Sequence, residues 1–159
     1  MSNAVEPILD SRAVTGEGAI WDQKKQVLYW VDIYPGLVHV YDPATRKDSS
    51  LHAGQPVGAV VPRASGGLML AVRDGFMSLD TETGKTALVA APAQHNPENQ
   101  FNDGKCDPAG RFWAGTIEAP TRKGALFRLD RDLSVHCMVG GVGCSNGLAW
   151  SLDKKTMYY

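Results

Sequence analysis

The chain has 159 residues, 43% hydrophobic and 21% charged, with 16 basic against 17 acidic side chains and a formal net charge of −1. That balance describes a folded globular chain rather than a disordered one, and without a basic block the chain lacks the footprint that neutralises nucleic-acid phosphates or grips an anionic membrane surface. No apolar run approaches the roughly 18 residues of a membrane span and no charged-then-apolar leader opens the chain, so a cytoplasmic location is expected, with neither nucleic acid nor membrane as partner.

Residues 1–4 read as a leader left by cloning, and residues 5–159 as one domain. Short runs rich in branched and aromatic side chains predict strands at 27–31, 37–41, 67–71, 75–79, 111–115 and 125–129, with no long amphipathic helix between them. Asp42-Pro43, Asp80 to Gly84, Asp107 to Gly110 and Asp130 to Asp132 supply the turns, because an Asp side chain can bond the backbone two residues on and Gly or Pro sets the dihedrals. Cys106, Cys137 and Cys144 are odd in number and lack Cys-x-x-Cys spacing; they are expected to be small buried hydrophobes, not a disulfide framework or a thiolate zinc site.

The strands repeat. Gly18, Gly58, Gly104 and Gly147 recur at intervals of about 40–46 residues, each opening a strand that leads through a turn to a second strand and then to one ending in Tyr41-Asp42, Leu79-Asp80 or Leu129-Asp130. Units of that length with three or four strands each predict an all-β fold, a β-propeller, here an arc of roughly three and a half blades. The chain stops at Tyr159 in what reads as mid-strand, so it is expected to be a piece of a longer protein or one of two arcs that assemble through uncovered blade ends. Trp21, Trp30, Trp113 and Trp150 are expected to pack between blades.

Three polar segments interrupt the apolar pattern at the same place in the repeat: Thr15 to Gly18, Gln100 to Lys105 and Cys144 to Leu148. In a propeller that place is the strand nearest the axis, where Glu17, Asn102 and Asn146 would offer carboxylate and amide oxygens to a hard divalent ion such as Ca²⁺, Mg²⁺ or Mn²⁺. His39, His52, His95 and His136 are scattered without zinc-site spacing. Each segment also has a plainer reading, since Glu17 can accept turn hydrogen bonds and Asn102-Asp103-Gly104 and Asn146-Gly147 are good turn sequences. Their equivalent positions favour a site. Asp103 and Lys105 are expected to be structural, pairing or capping within the blade.

Gly16-Glu17-Gly18, Phe101 to Lys105 with Asp107 to Thr116, and Ser145 to Ser151, in that order, resemble the motifs of the SMP-30/gluconolactonase/LRE-like family, which includes regucalcin and sugar lactonases. The resemblance implies a six-bladed propeller, one divalent ion on its axis (Ca²⁺, Zn²⁺, Mn²⁺ or Mg²⁺) and hydrolysis of sugar lactones. It implies metal binding by Glu17 and Asn146 and substrate contact by Asn102. The family's further ligand, an aspartate thought to act as the base, is expected beyond residue 159, and Asp153 in a solvated turn is no substitute. Gln100 stands where many lactonases carry an arginine for substrate, and Glu118 is the nearest candidate for a further substrate contact. With one inferred ligand missing, this chain alone is expected to be a poor enzyme. The rival expectations are a non-catalytic calcium-binding propeller in the manner of regucalcin and hydrolysis of another ester class such as phosphotriesters.

Overall fold

The computed structural model describes residues 4–93, 98–118 and 123–159, and the regular elements within them are β-strands. Blade 1 consists of β1 (Gly16–Asp22), β2 (Val27–Asp32), β3 (Leu37–Asp42) and β4 (Lys47–His52); blade 2 of β5 (Val57–Pro62), β6 (Leu68–Val72), β7 (Gly75–Leu79) and β8 (Thr86–Ala90). Blade 3 consists of β9 (Gln100–Cys106), β10 (Phe112–Ile117), β11 (Gly124–Leu129) and β12 (Val135–Val142), and a hairpin of β13 (Ala149–Trp150) with β14 (Met157–Tyr158) begins a fourth. Each blade is an antiparallel meander in chain order, and together they form the partial propeller that the repeat implies. Of the leader expected at 1–4, only Ala4 lies among the described residues.

The Asp-turn signals act as their chemistry dictates. Asp42, Asp80 and Asp107 each accept the backbone N–H two residues on, at 2.8 to 2.9 Å, and Asp132 does the same at 3.0 Å, while the Asp130 carboxylate is taken by Arg128; Asp22, which the sequence did not flag, makes the same turn. The outermost strands β4, β8 and β12 have no counterpart in the runs predicted from sequence. They border solvent and are mostly exposed, so no burial shapes a hydrophobic pattern in them.

Packing runs from blade to blade. The unbroken apolar runs of β5 and β6 mark the middle blade, which is covered on both faces. Leu68, Leu70 and Val72 pack with Tyr29, Val31 and Val38 of blade 1, while the alternate residues Met69 and Ala71 join Phe76, Phe101, Phe112 and Phe127 in the core shared with blade 3. The rings of Phe76 and Phe101 lie 5.3 Å apart and tilted, those of Phe76 and Phe112 5.5 Å apart and edge-on, geometries that favour aromatic pairs.

The tryptophans divide. Trp113 is buried with Leu126 of blade 3 and Leu148, with Trp150 packed against them, as an inter-blade role requires. Trp30 instead stacks on His39 of its own blade, their centroids 3.6 Å apart, and Trp21 is 45% exposed. Both belong to blade 1, which has a described neighbour on one side only. The cysteines also depart from expectation: Cys106 is half-buried, but Cys137 and Cys144 are exposed, the first on the outermost strand of blade 3 and the second in the loop that follows it.

Candidate functional site

Two of the polar segments lie on the inner strands β1 and β9, which pack on either side of the inner strand β5, and the third lies in the loop before β13. Each inner strand shifts register: β1 between Glu17 and Ile20, β5 between Val57 and Ala59, and β9 between Phe101 and Gly104, opposite Ala114 to Thr116. An extra residue in one strand bends the chain and re-aims side chains, and such bulges gather at barrel rims and sites. The approach is close. A β-carbon on Gly58 would lie 2.2 Å from the Phe101 carbonyl oxygen and 2.5 Å from that of Asn102, so only glycine lets blade 2 approach blade 3 this closely.

Glu17 is delivered by a local anchor. The carboxylate of buried Asp32, at the end of β2, accepts the backbone N–H of Val14 (2.9 Å) and Thr15 (2.8 Å), and Thr15 O accepts the N–H of Ile33 (3.0 Å). The chain therefore enters β1 at a fixed place, with exposed Glu17 opposite Val31. Glu17 lines a cavity of about 350 Å³ with Leu9, Gly18, Leu28, Trp30 and Tyr41, on the face of blade 1 turned away from blade 2; neither Asn102 nor Asn146 lines it.

Asn102 and Asn146 meet. Asn102, only 5% exposed, donates from Nδ2 to Ser145 O at 2.9 Å and to Asn146 Oδ1 at 3.1 Å. Next along β9, the Asp103 carboxylate accepts the N–H of Gly147 at 2.8 Å, which corrects the expectation that Asp103 serves only its own blade. Gly147 has φ +74°, a left-handed conformation that glycine adopts without strain and that turns its N–H back toward blade 3. Gln100, half-buried, pairs with Ile117, which itself bridges Cys144; the N–H of half-buried Glu118 donates to Gly143 O at 2.9 Å. Gln100, Asn102, Glu118 and Asn146 thus gather where β9, β10 and the 143–147 loop meet. The sulfur of exposed Cys144 accepts the Asn146 side-chain amide at 3.4 Å and completes the rim. Cys144 opens the third polar segment, but neither its contact with Asn146 nor that of Asp103 with Gly147 is written in the spacing.

The donors have a definite chemical character. Among the described residues no group of three or more His, Cys, Asp and Glu is placed to hold a metal, and His95 lies outside them. The Glu17 carboxylate and the Asn146 amide oxygen are each hard donors of the kind that fits an oxygen-loving divalent cation, although Glu17 lines a cavity that Asn146 does not. The Asn102 bond uses one lone pair of Asn146 Oδ1 and directs that oxygen, rather than the NH₂, toward blade 3. Asp153 is engaged in its own turn, accepting from Ser151 Oγ (2.5 Å) and Lys155 N (3.1 Å).

A partial propeller in which Asn102 and Asp103 of the third blade hold the loop around Asn146 is the class that fold and site define. The chain belongs to the family described as SMP-30/Gluconolactonase/LRE-like region, matched over residues 15–159. It is 40% identical to a regucalcin of Xenopus laevis over 98% of this chain and 54% of that protein, and 35% identical to a 6-deoxy-6-sulfogluconolactonase of Pseudomonas putida over 100% of this chain and 55% of that protein. It superposes with TM-score 0.85 on a calcium-binding protein, regucalcin, of Agrobacterium tumefaciens, covering 92% of this chain and 50% of that one at 24% identity. The chain spans about half the length of the curated relatives it matches. No helix among the described residues is long and apolar enough to cross a membrane.

Proposed function

We propose that the protein works as a divalent-metal-dependent hydrolase of sugar lactones, with this chain contributing part of its site. The observation that carries the reading is the hydrogen bond from Asn102 Nδ2 to Asn146 Oδ1, which joins two blades at a mouth built from amide and carboxylate groups. Membership of a family that includes a sulfogluconolactonase supports the substrate class.

In this reading Glu17 and Asn146 hold one divalent ion, which when bound would polarise a lactone carbonyl and lower the pKa of a water. Asn102, Gln100 and Glu118 bind and orient the ring hydroxyls. Gln100 both donates and accepts hydrogen bonds but brings no charge, so its mouth favours neutral lactones over those carrying an anionic substituent. The base that takes the water's proton lies outside residues 1–159, which leaves this chain by itself a weak catalyst. A cytoplasmic location agrees with three free cysteines.

Calcium binding without turnover is the second reading, favoured by the uncharged Gln100 and by the 40% identity to a regucalcin. The deciding experiment follows gluconolactone hydrolysis by the full-length protein stripped of metal and then supplied with Mn²⁺, Zn²⁺ or Ca²⁺, beside its Asn146→Ala variant. Metal-restored turnover that the variant loses is expected. Tight Ca²⁺ uptake with no hydrolysis would establish the second reading, and turnover indifferent to chelation would overturn both.

A further inference from the structure

Along a regular strand, successive side chains point to opposite faces. Asn102 and Asp103 are successive residues of β9, yet both reach the same loop of the next blade: Asn102 Nδ2 binds Ser145 O and Asn146 Oδ1, and the Asp103 carboxylate binds Gly147 N–H. The register shift between Phe101 and Gly104 is what permits this, because the extra residue there turns two neighbours toward one side. Asn146 is held from three directions: by its side-chain oxygen, by the carbonyl of the residue before it and by the amide of the residue after it. Two successive backbone groups flanking one side chain leave its peptide planes little freedom to rotate.

We propose that Asp103 is a positioning residue for the metal site: it fixes the loop through Gly147 N–H so that Asn146 presents its amide oxygen to the ion. The inference rests on the metal-binding reading of Asn146 given above. Asp103 acts here as a hydrogen-bond acceptor held at one place and not as a charge, and the bulge exists to put that acceptor there. Partners that orient metal ligands commonly change affinity by about 10- to 100-fold when they are removed.

Two conservative variants separate geometry from charge. Asp103→Asn keeps an acceptor oxygen at the same reach and loses the charge; Asp103→Glu keeps the charge and moves the carboxylate outward by one methylene. Ca²⁺ and Mn²⁺ affinities of the full-length protein and both variants are read by isothermal titration calorimetry, with Gly147 amide exchange followed by NMR. The expected result is affinity close to the parent's for Asp103→Asn, and a loss of about tenfold with faster Gly147 exchange for Asp103→Glu. The reverse order, or equal affinities in all three proteins, would overturn the positioning role while leaving the metal site standing. A parent protein that takes up neither ion would overturn the site reading itself, and this inference with it.

Discussion

Asn102 and Asn146, separated by 44 residues, share a hydrogen bond of 3.1 Å from Nδ2 to Oδ1. The two side chains meet where apolar packing draws the third blade and the start of the fourth together: Trp113 and Leu126 bury Leu148, two residues beyond Asn146. A nearly buried amide that donates to a carbonyl and to a second amide is also costly to disturb, since removing one partner leaves the other unsatisfied. Core and mouth are therefore one mechanical unit, and three consequences can be measured.

Gly58→Ala places a methyl group 2.2 Å from the Phe101 carbonyl oxygen, against backbone that cannot rotate away. Blades 2 and 3 must separate, which costs about 3 kcal/mol and also displaces Asn102. Urea denaturation is expected to show a lowered midpoint. A midpoint equal to the parent's would mean that the inner strands are looser than this contact indicates.

Asp107 is a buried carboxylate whose pKa is held down, so it is expected to contribute to acid sensitivity. Burial by itself raises its pKa, but the hydrogen bonds from Trp113 Nε1 (2.9 Å) and from Arg111 N (3.0 Å) and Nε (2.6 Å) outweigh burial and hold it below the ordinary 3.8. A carboxylate with a depressed folded-state pKa stabilises fully above its unfolded value and loses that contribution as pH falls through the folded one. Stability is thus expected to decline below about pH 4, and Asp107→Asn to be less stable at neutral pH with a flatter acid limb. Parallel acid limbs for the two proteins would assign the loss to other carboxylates.

The cysteines should react in a fixed order. Burial, with some help from the neighbouring Asp107 charge, pushes the Cys106 thiol up to about 11, so it holds almost no thiolate at neutral pH; Cys137 and Cys144 are exposed. Brief treatment of the native protein with iodoacetamide, read by peptide mass spectrometry, is expected to label Cys137 and Cys144 and spare Cys106. Early labelling of Cys106 would show that β9 opens in the native state.

Much of this protein was legible in its sequence because the relevant physics is local. Branched and aromatic runs dictated the two middle strands of each blade, Asp42, Asp80 and Asp107 dictated turns by bonding two residues ahead, and the recurrence of glycine fixed blade length. The motif residues Gln100, Asn102, Glu118 and Asn146 could be named before any contact was known. What only the tertiary structure decided is non-local. The exposed outer strands carry no pattern, because solvent selects no periodicity, and the burial of Trp113 against the exposure of Trp21 depends on which blade faces which. Whether Asp103 served its own blade or the next was settled by a one-residue bulge, since a single extra residue reverses the face on which a side chain emerges and nothing in the composition of Asn102-Asp103-Gly104 records it.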